Sequence, residues 1–389
     1  MAVGRQLVTP GHPGRRSRQP LIWTSTSGGR SGRSPYPPEG DWEHQAVEDF
    51  CPYTQRMTEV GNTASGPVHL PRSRRVAMLN QKGGVGKTTS TVNLGHGLAR
   101  AGYRVCLVDL DPQGHLSLHL AIETDQLEAT AYQLLVDDDC SIEQVIVPAR
   151  ERLDCIPSTV DLAAAESELA DHPDRNSILR HKFAPVSDRY DIILIDCPPG
   201  LGLLTLNAMC LVDEIIVPMQ AHFLAMQGVG KLMETVWRVS SGVNPDLKLG
   251  GILLCMHETQ SIHSRNVVSE LEAFFEDARQ SDSPWSGTRL LHPPIRRNIK
   301  LAEAPSFGQT IFDYDPDCRG AKDYQGVVES LLSGWCSNDK SPVVVQADSE
   351  ADKPAQDQVE QVVSSGLQAS VPASKDDEST TGGNSEGAG

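Results

Sequence analysis

The sequence reads Lys82-Gly83-Gly84-Val85-Gly86-Lys87-Thr88-Thr89 between an apolar run at 76–80 and a helical pattern over 87–101. Glycines let backbone N–H groups wrap around a phosphate chain, and a helix N-terminus adds its dipole. Position 81 is Gln, so the stretch departs from the P-loop pattern G-x-x-x-x-G-K-[ST] at its first glycine. Its Gly-Lys-Thr end and its strand–loop–helix context fit that pattern. We therefore predict a phosphate-binding loop; an ordinary glycine-rich turn with two surface lysines is the alternative.

Two side chains of the loop and one acid elsewhere have a predicted role at the phosphates. Lys87 would reach the β- and γ-phosphates of a nucleotide, and the Thr88 hydroxyl would ligate Mg²⁺. Phosphoryl transfer needs mainly positioning and charge stabilisation, so an acid should end a neighbouring strand. Asp196 ends the most apolar run, at 191–196, and is predicted to hold Mg²⁺ through water. A strand-end Asp that caps a turn is the alternative.

Short apolar runs alternate with helical stretches from residue 74 onward. This alternation is typical of βα units and a parallel sheet. We predict a doubly wound α/β fold, with a mostly parallel sheet of about seven or eight strands flanked by helices. The predicted strands are 76–80, 105–109, 153–157, 191–196, 214–219, 249–256 and 289–292, with helices near 87–101, 160–170, 203–211, 226–241, 263–279 and 320–333.

Composition divides the 389-residue chain into three parts. Residues 1–73 are rich in Arg, Gly and Pro, and residues 337–389 carry ten acids and three lysines. Both segments are predicted to be disordered, because they have too few large apolar residues to bury a core. Residues 74–336 hold nearly all the apolar runs and are predicted to form one folded domain.

The composition also excludes several classes of protein. No apolar stretch approaches the roughly 18 residues that span a bilayer, and the N-terminus lacks the apolar run of a signal peptide. The nine cysteines are scattered without a C-x-x-C pair, which favours reduced thiols in a cytosol over disulfides or a metal site. A net charge of −17 argues against nucleic-acid binding through bulk charge, although it leaves room for a local basic patch.

The phosphate loop resembles the deviant Walker A motif of the ParA/MinD superfamily, in which Lys82 is the signature residue. Four further segments resemble the ParA/Soj partitioning branch in order and spacing: VDLDPQG at 108–114, LIDCPP at 194–199, RNIKLAEAPSFG at 297–308 and RGAKDY at 319–324. The resemblance covers about residues 74–334. It identifies residues 74–336 as a ParA-type ATPase domain.

This resemblance implies an Mg²⁺-dependent ATPase that forms a homodimer when ATP is bound. Lys82 would reach across the two-fold interface to phosphates on the other subunit; a flexible lysine beside its own ligand is the alternative. Asp111 would orient the attacking water, whereas Asp109 would serve Mg²⁺ or the structure. Asn298 and Asn207 would contact adenine. The predicted catalytic residues are Lys82, Lys87 and Asp111, and the predicted nucleotide contacts are Lys82, Gly83, Gly84, Val85, Gly86, Lys87, Thr88, Thr89, Asn207 and Asn298.

Residues 289–300 contain four Lys or Arg side chains and no acid. Such an island suits contacts with phosphates that do not read sequence. The resemblance implies non-specific DNA binding, with Arg297 at a DNA-contact position and Arg265 in place of a family arginine that is missing near Gln260. The predicted DNA-binding residues are Arg265, Arg297 and Lys300. A solvated basic surface is the alternative, and the Arg-rich N-terminal segment is a second candidate for DNA affinity.

The function that the resemblance implies is chromosome or plasmid partitioning in the cytoplasm, on the nucleoid, with a ParB-like centromere-binding partner that stimulates hydrolysis. The alternatives are a MinD-like positioning ATPase for another cargo and a nucleotide-gated DNA-binding regulator. The acidic C-terminal segment lacks the Lys/Arg face of a membrane-binding amphipathic helix, so no membrane partner is predicted.

Overall fold

The computed structural model describes residues 70–258 and 261–338, without the side chains of 223–227, 262–263 and 337–338. The predicted disorder of residues 1–73 and 337–389 therefore concerns segments that lie almost wholly outside the described residues, and Gln260 lies outside them too.

Eight strands form a single sheet within the described ranges. They are β1 (Arg74–Met78), β2 (Val105–Asp109), β3 (Val147–Arg150), β4 (Leu153–Ile156), β5 (Ile192–Asp196), β6 (Glu214–Met219), β7 (Lys248–Leu254) and β8 (Arg289–Leu291). Seven of these occupy the predicted positions. The sequence did not predict β3, which carries Pro148 and has no buried residue.

The strand order is β3-β4-β2-β5-β1-β6-β7-β8. Neighbours run parallel throughout, except that β3 is antiparallel to β4. Strands β2 to β5 lie on one side of β1 and strands β6 to β8 lie on the other, so the order reverses beside β1. In open α/β sheets, ligands bind at such a reversal, outside the carboxyl ends of the strands. The doubly wound, mostly parallel prediction is confirmed.

Helices cover both faces of this sheet. In the described part of the chain they are α1 (Lys87–Arg100), α2 (His115–His119), α3 (Ala131–Val136), α4 (Ile142–Val145), α5 (Ala165–Glu168), α6 (Ile178–Phe183), α7 (Leu203–Leu211), α8 (Phe223–Ser240), α9 (Ile262–Ala278), α10 (Lys300–Glu303), α11 (Ile311–Tyr314) and α12 (Arg319–Asn338). Short 3₁₀ segments occupy Thr124–Gln126, Val160–Ala164, Ala184–Val186 and Ala304–Phe307.

The alternation of β1 divides the hydrophobic core into two layers. Met78 packs with Leu98 of α1 and Leu331 of α12 on one face of the sheet. Ala77 belongs to the layer on the other face, which includes Leu232 of α8. Because both faces are covered, β5 is apolar up to its terminal Asp196, and β1 is apolar from Val76 to Met78.

Two class predictions bear on the described residues. None of the helices in the ranges 70–258 and 261–338 is both long and apolar enough to cross a membrane. The eight cysteines in those ranges are unpaired, and six of them are buried.

Candidate nucleotide site and adjoining basic surface

The loop after β1 has the backbone of a phosphate cradle. Gly86 immediately precedes α1 and adopts a left-handed conformation with φ of 97°. A Cβ at this position would lie 3.3 Å from the Cys255 sulfur, so both strain and space require glycine. Within the described structure, no side chain caps the N-terminus of α1. Its first N–H groups are therefore available to an anion.

The two lysines of this loop have opposite environments. Lys87 is buried, and its Nζ donates to the backbone oxygen of Lys82 at 3.4 Å. Lys82 is exposed, and its Nζ lies 2.8 Å from Nε2 of His222. Lys87 is thus folded into the loop, whereas Lys82 leaves it.

A buried carboxylate stands beside the loop. Asp196 ends β5, is fully buried, and pairs in register with Met78 at the end of β1. Its Oδ1 accepts from the Thr91 hydroxyl at 3.4 Å, while its Oδ2 has no hydrogen-bond partner among the described residues. Burial and the negative charge of Asp109 raise the pKa of Asp196 well above its ordinary value, and the nearby Thr88 hydroxyl and Lys87 ammonium offset part of that rise. Thr91 was not among the predicted site residues.

Asp109 is also buried, at the carboxyl end of β2, where it lies in register with Asp196. Its Oδ2 accepts from the backbone N–H and the hydroxyl of Ser117 at 3.1 and 2.9 Å. Its Oδ1 accepts from the backbone N–H of Asp111 at 3.2 Å. Burial raises the pKa of Asp109 to about 7 in spite of these donors. The structure therefore uses Asp109 to fix the loop that carries Asp111.

Asp111 follows β2 and lies at the boundary between buried and accessible, with 9% of its surface exposed. Its Oδ1 accepts from the backbone N–H of Gln113 at 3.0 Å, the pattern of an Asx turn. The side chain lies on a short turn at the carboxyl ends of the strands, as do Lys87 and Asp196. Orientation of water by Asp111 remains a prediction.

The donor set beside Asp196 fits a hard cation. The described residues contain no group of three His, Cys, Asp or Glu side chains that could hold a metal alone. Mg²⁺ usually takes one or two protein oxygens and fills its other positions with water and substrate phosphates. The unpartnered Oδ2 of Asp196 and the Thr88 hydroxyl are such oxygens, so these residues fit the ion.

The two asparagines predicted to contact adenine differ in availability. Asn207 is fully buried: its amide nitrogen donates to the carbonyls of Arg175 and Leu203, and its oxygen accepts from the N–H of Leu179. An adenine contact by Asn207 would require this cluster to open. Asn298 is half-buried, and its oxygen accepts from the backbone N–H of Lys300 at 3.0 Å.

The predicted DNA-binding residues Arg265, Arg297 and Lys300, which we call the basic surface, are partly paired. The side chain of Arg297 is 78% exposed and lies 3.4 Å from Glu258. Lys300 lies 2.9 Å from Glu303, and Arg265 is exposed on α9.

The other two arginines of the 289–300 island have structural contacts. Arg296 makes a bidentate pair with Asp323 of α12, whose side chain is 3% exposed. Arg289 lies against α12, and burial lowers its pKa. The island therefore divides into structural and surface members, a division that the sequence did not reveal.

Comparison with known proteins gives a consistent result. A family model described as "AAA domain" matches residues 73–249. The sporulation initiation inhibitor protein Soj of Bacillus subtilis is 42% identical over 258 residues, which are 66% of this chain and 98% of Soj. The chromosome partitioning protein ParA of Myxococcus xanthus is 38% identical over 260 residues, which are 67% of this chain and 88% of ParA.

Two solved structures are similar to this chain in fold. Cobyrinic acid a,c-diamide synthase from Mycobacterium smegmatis, with bound ATP analog and magnesium, is 34% identical with a TM-score of 0.57. The match covers 69% of this chain and 98% of that one. The cell division ATPase MinD of Pyrococcus furiosus is 23% identical with a TM-score of 0.54, over 67% of this chain and 99% of that one, and so shares the fold.

Proposed function

This chain belongs to the ParA/Soj family of partitioning ATPases, and on that premise we propose that it partitions DNA through an ATP-dependent dimer. It is an Mg²⁺-dependent ATPase. Residues 74–336 would form the ATPase domain, and ATP would join two copies, present their basic surfaces to DNA and prepare them for a ParB-like partner. The proposed place of action is the cytoplasm, on the nucleoid.

The observation that carries the nucleotide part is the buried, unpartnered Oδ2 of Asp196 beside Lys87 and Thr88. A buried carboxylate oxygen without a partner is costly, so its retention needs a reason. Thr88 and Asp196 would hold Mg²⁺, which neutralises phosphate charge when bound.

The protein groups around the phosphates would then divide the work. Lys87 and the uncapped N-terminus of α1 would bind the phosphate chain and stabilise the charge that develops on it. Asp111 would hold the attacking water in line, in the position fixed by Asp109 and Ser117.

The DNA part rests on the basic surface. Arg297 is partnered by the exposed Glu258, and an exposed pair contributes little to stability, so a phosphate can replace that acid at small cost. A dimer would present Arg265, Arg297 and Lys300 twice. Six phosphate contacts predict a log–log salt slope of about −5, without preference for sequence.

The test measures binding of two unrelated DNA duplexes to the full chain by fluorescence anisotropy at several salt concentrations. We expect equal affinity for both duplexes with Mg²⁺ and a non-hydrolysable ATP analog, and weak binding with ADP. Equal DNA affinity with the ATP analog and with ADP, or a strong preference for one duplex, would contradict the proposal. Addition of the ParB-like protein encoded nearest the gene should raise ATP turnover in the presence of DNA.

A further inference from the structure

The backbone of Lys82 is fixed to the strand beside the loop. Its N–H donates to Oδ1 of Asn80 at 3.0 Å. The Asn80 amide nitrogen in turn donates to the carbonyl of Pro218 in β6 at 2.8 Å. Any displacement of the Lys82 ammonium must therefore come from the side chain.

The loop between β6 and α8 contacts the phosphate loop at two points. Gln220 Nε2 donates to the carbonyl of Gly84 at 3.4 Å, and His222 Nε2 lies 2.8 Å from Lys82 Nζ. Helix α9 supports this loop from its other side, because the Ser264 hydroxyl donates to the carbonyl of Ala221 at 3.2 Å. His222 is thus placed by its neighbours at the tip of the Lys82 side chain.

In this hydrogen bond Lys82 is the donor and His222 is the acceptor. An ammonium group has donors and no acceptor, so His222 must offer the lone pair of Nε2 and be neutral. The contact holds the Lys82 ammonium at His222, away from the phosphate loop. Lys87, in contrast, is folded into that loop. In the proposed dimer, Lys82 would exchange this contact for phosphate oxygens bound to the second subunit.

We propose that His222 is a positioning residue that holds Lys82 retracted in the monomer, and that dimerisation on ATP breaks this hydrogen bond. The inference rests on the proposed ATP-dependent dimer. It adds a residue that opposes dimer formation and sets the concentration at which two subunits close. His222 is separated from Lys82 by 140 positions in the chain, and no motif of the sequence indicated it.

The expected magnitude follows from the exposure of the pair. An exposed pair of this kind shifts an equilibrium by about 2–5-fold. A symmetric dimer must break two of them, so removal of His222 should strengthen dimerisation by about 4–25-fold.

Acid should have the same effect, because protonation removes the acceptor. Lys82 contacts His222, and the ionisable residues His257, Glu258 and Arg297 line a cavity of about 270 Å³ together with it. Because His257 also titrates, the pH dependence due to His222 is the part that a His222 variant loses.

The test measures dimerisation constants by analytical ultracentrifugation of the full chain with ATP and Mg²⁺. An Asp111→Ala background is expected to leave ATP unhydrolysed, and His222→Ala and His222→Gln are added to it. The alanine variant should dimerise about 4–25-fold more tightly than its parent. Glutamine offers an acceptor oxygen at similar reach, so it should return the constant towards the parent value. Between pH 8 and 6 the parent should dimerise more tightly, and both variants should lose that gain.

Two failures are distinguishable. If the parent dimerises with ATP and His222→Ala is no tighter, the positioning role is wrong and the proposed function stands. If the parent never dimerises with ATP, the proposed function is wrong and the role of His222 falls with it.

Discussion

The two halves of the sheet's carboxyl edge carry charge in contrasting ways. Around β1, β2 and β5 the charged groups Asp109, Asp196 and Lys87 are buried, and Lys82 is the exposed exception. Beyond β7 and β8 they are Arg297, exposed and paired with the exposed Glu258, and Lys300, half-buried and paired with the half-buried Glu303. Buried charges are expensive, so they occur where a ligand or a network stabilises them. Exposed ion pairs contribute little to stability and exchange partners readily. The buried charges therefore suit one specific ligand, whereas the surface pairs suit a ligand that replaces their acidic partners.

Substitution in the buried half should have the largest effect. Lys87→Ala should lower ATP turnover by about 100–1000-fold, since it removes a charge aimed at the phosphates from a site with little water. Lys248→Ala is the matched control, because Lys248 is an exposed lysine at the start of β7. Phosphate release and the binding of a fluorescent nucleotide measure the two variants. Turnover equal to the control would contradict the assignment of Lys87.

The adjacent residues Arg296 and Arg297 test the division of the basic island. Arg296→Ala removes the guanidinium from the buried Asp323, which keeps only the backbone N–H of residue 296, and should lower the free energy of unfolding by about 1–3 kcal/mol. Arg297→Ala should change stability by less than about 0.5 kcal/mol, because its pair with Glu258 is exposed. Urea unfolding of both variants measures this difference.

The next prediction concerns the contribution of Arg297 to DNA affinity. Arg297→Ala should weaken affinity equally for unrelated duplexes and flatten the salt slope by about two units, one contact per subunit. Salt titration of the folded variant measures the slope. An unchanged slope would show that Arg297 does not contact DNA phosphates. The arginines of the N-terminal segment would then be the next candidates for DNA binding.

The smallest effect concerns stability without ligand. Because burial raises the pKa of Asp196 in the folded state, the unfolded chain releases that proton first as pH rises. Ionisation thus costs stability above the unfolded pKa of about 4, and the cost grows until pH passes the raised folded value. Asp196→Asn should therefore unfold a few degrees above the parent at pH 8, with about 2–4 °C for each kcal/mol, and lose this advantage towards pH 4.

Thermal unfolding in EDTA without nucleotide measures that difference, so that binding does not contribute. A lower unfolding temperature for Asp196→Asn at pH 8 would show that the carboxylate is stabilised by the fold itself. Asp196 would then be structural, and the contrast between the two halves of the edge would lose its main support.

The fold was predictable where strands are buried on both faces. The predicted strands 105–109 and 214–219 coincide with β2 and β6, because continuous burial leaves a continuous apolar run. Strand β3 escaped prediction because it is a short antiparallel edge strand that contains Pro148 and has no buried residue. A strand of that kind has no apolar signal to read.

The candidate site was predictable to the same extent. Asp109 and Asp196 could be placed together because both end buried runs, and parallel strands bring their carboxyl ends to one edge. The contact of Lys82 with His222 and the pair of Arg296 with Asp323 depend on tertiary packing. No local pattern carries that information, and a basic residue in sequence looks the same whether it binds Asp323 or solvent.

If ATP joins two copies of this chain through Lys82, sedimentation equilibrium will show the dimer and its dependence on that side chain. The Asp111→Ala variant with Mg²⁺ and ATP should sediment at twice the monomer mass, and with ADP at the monomer mass. The double variant Lys82→Ala, Asp111→Ala should bind ATP and remain monomeric. An Asp111→Ala protein that stays monomeric at saturating ATP, or a double variant that dimerises as well as its parent, would contradict the account.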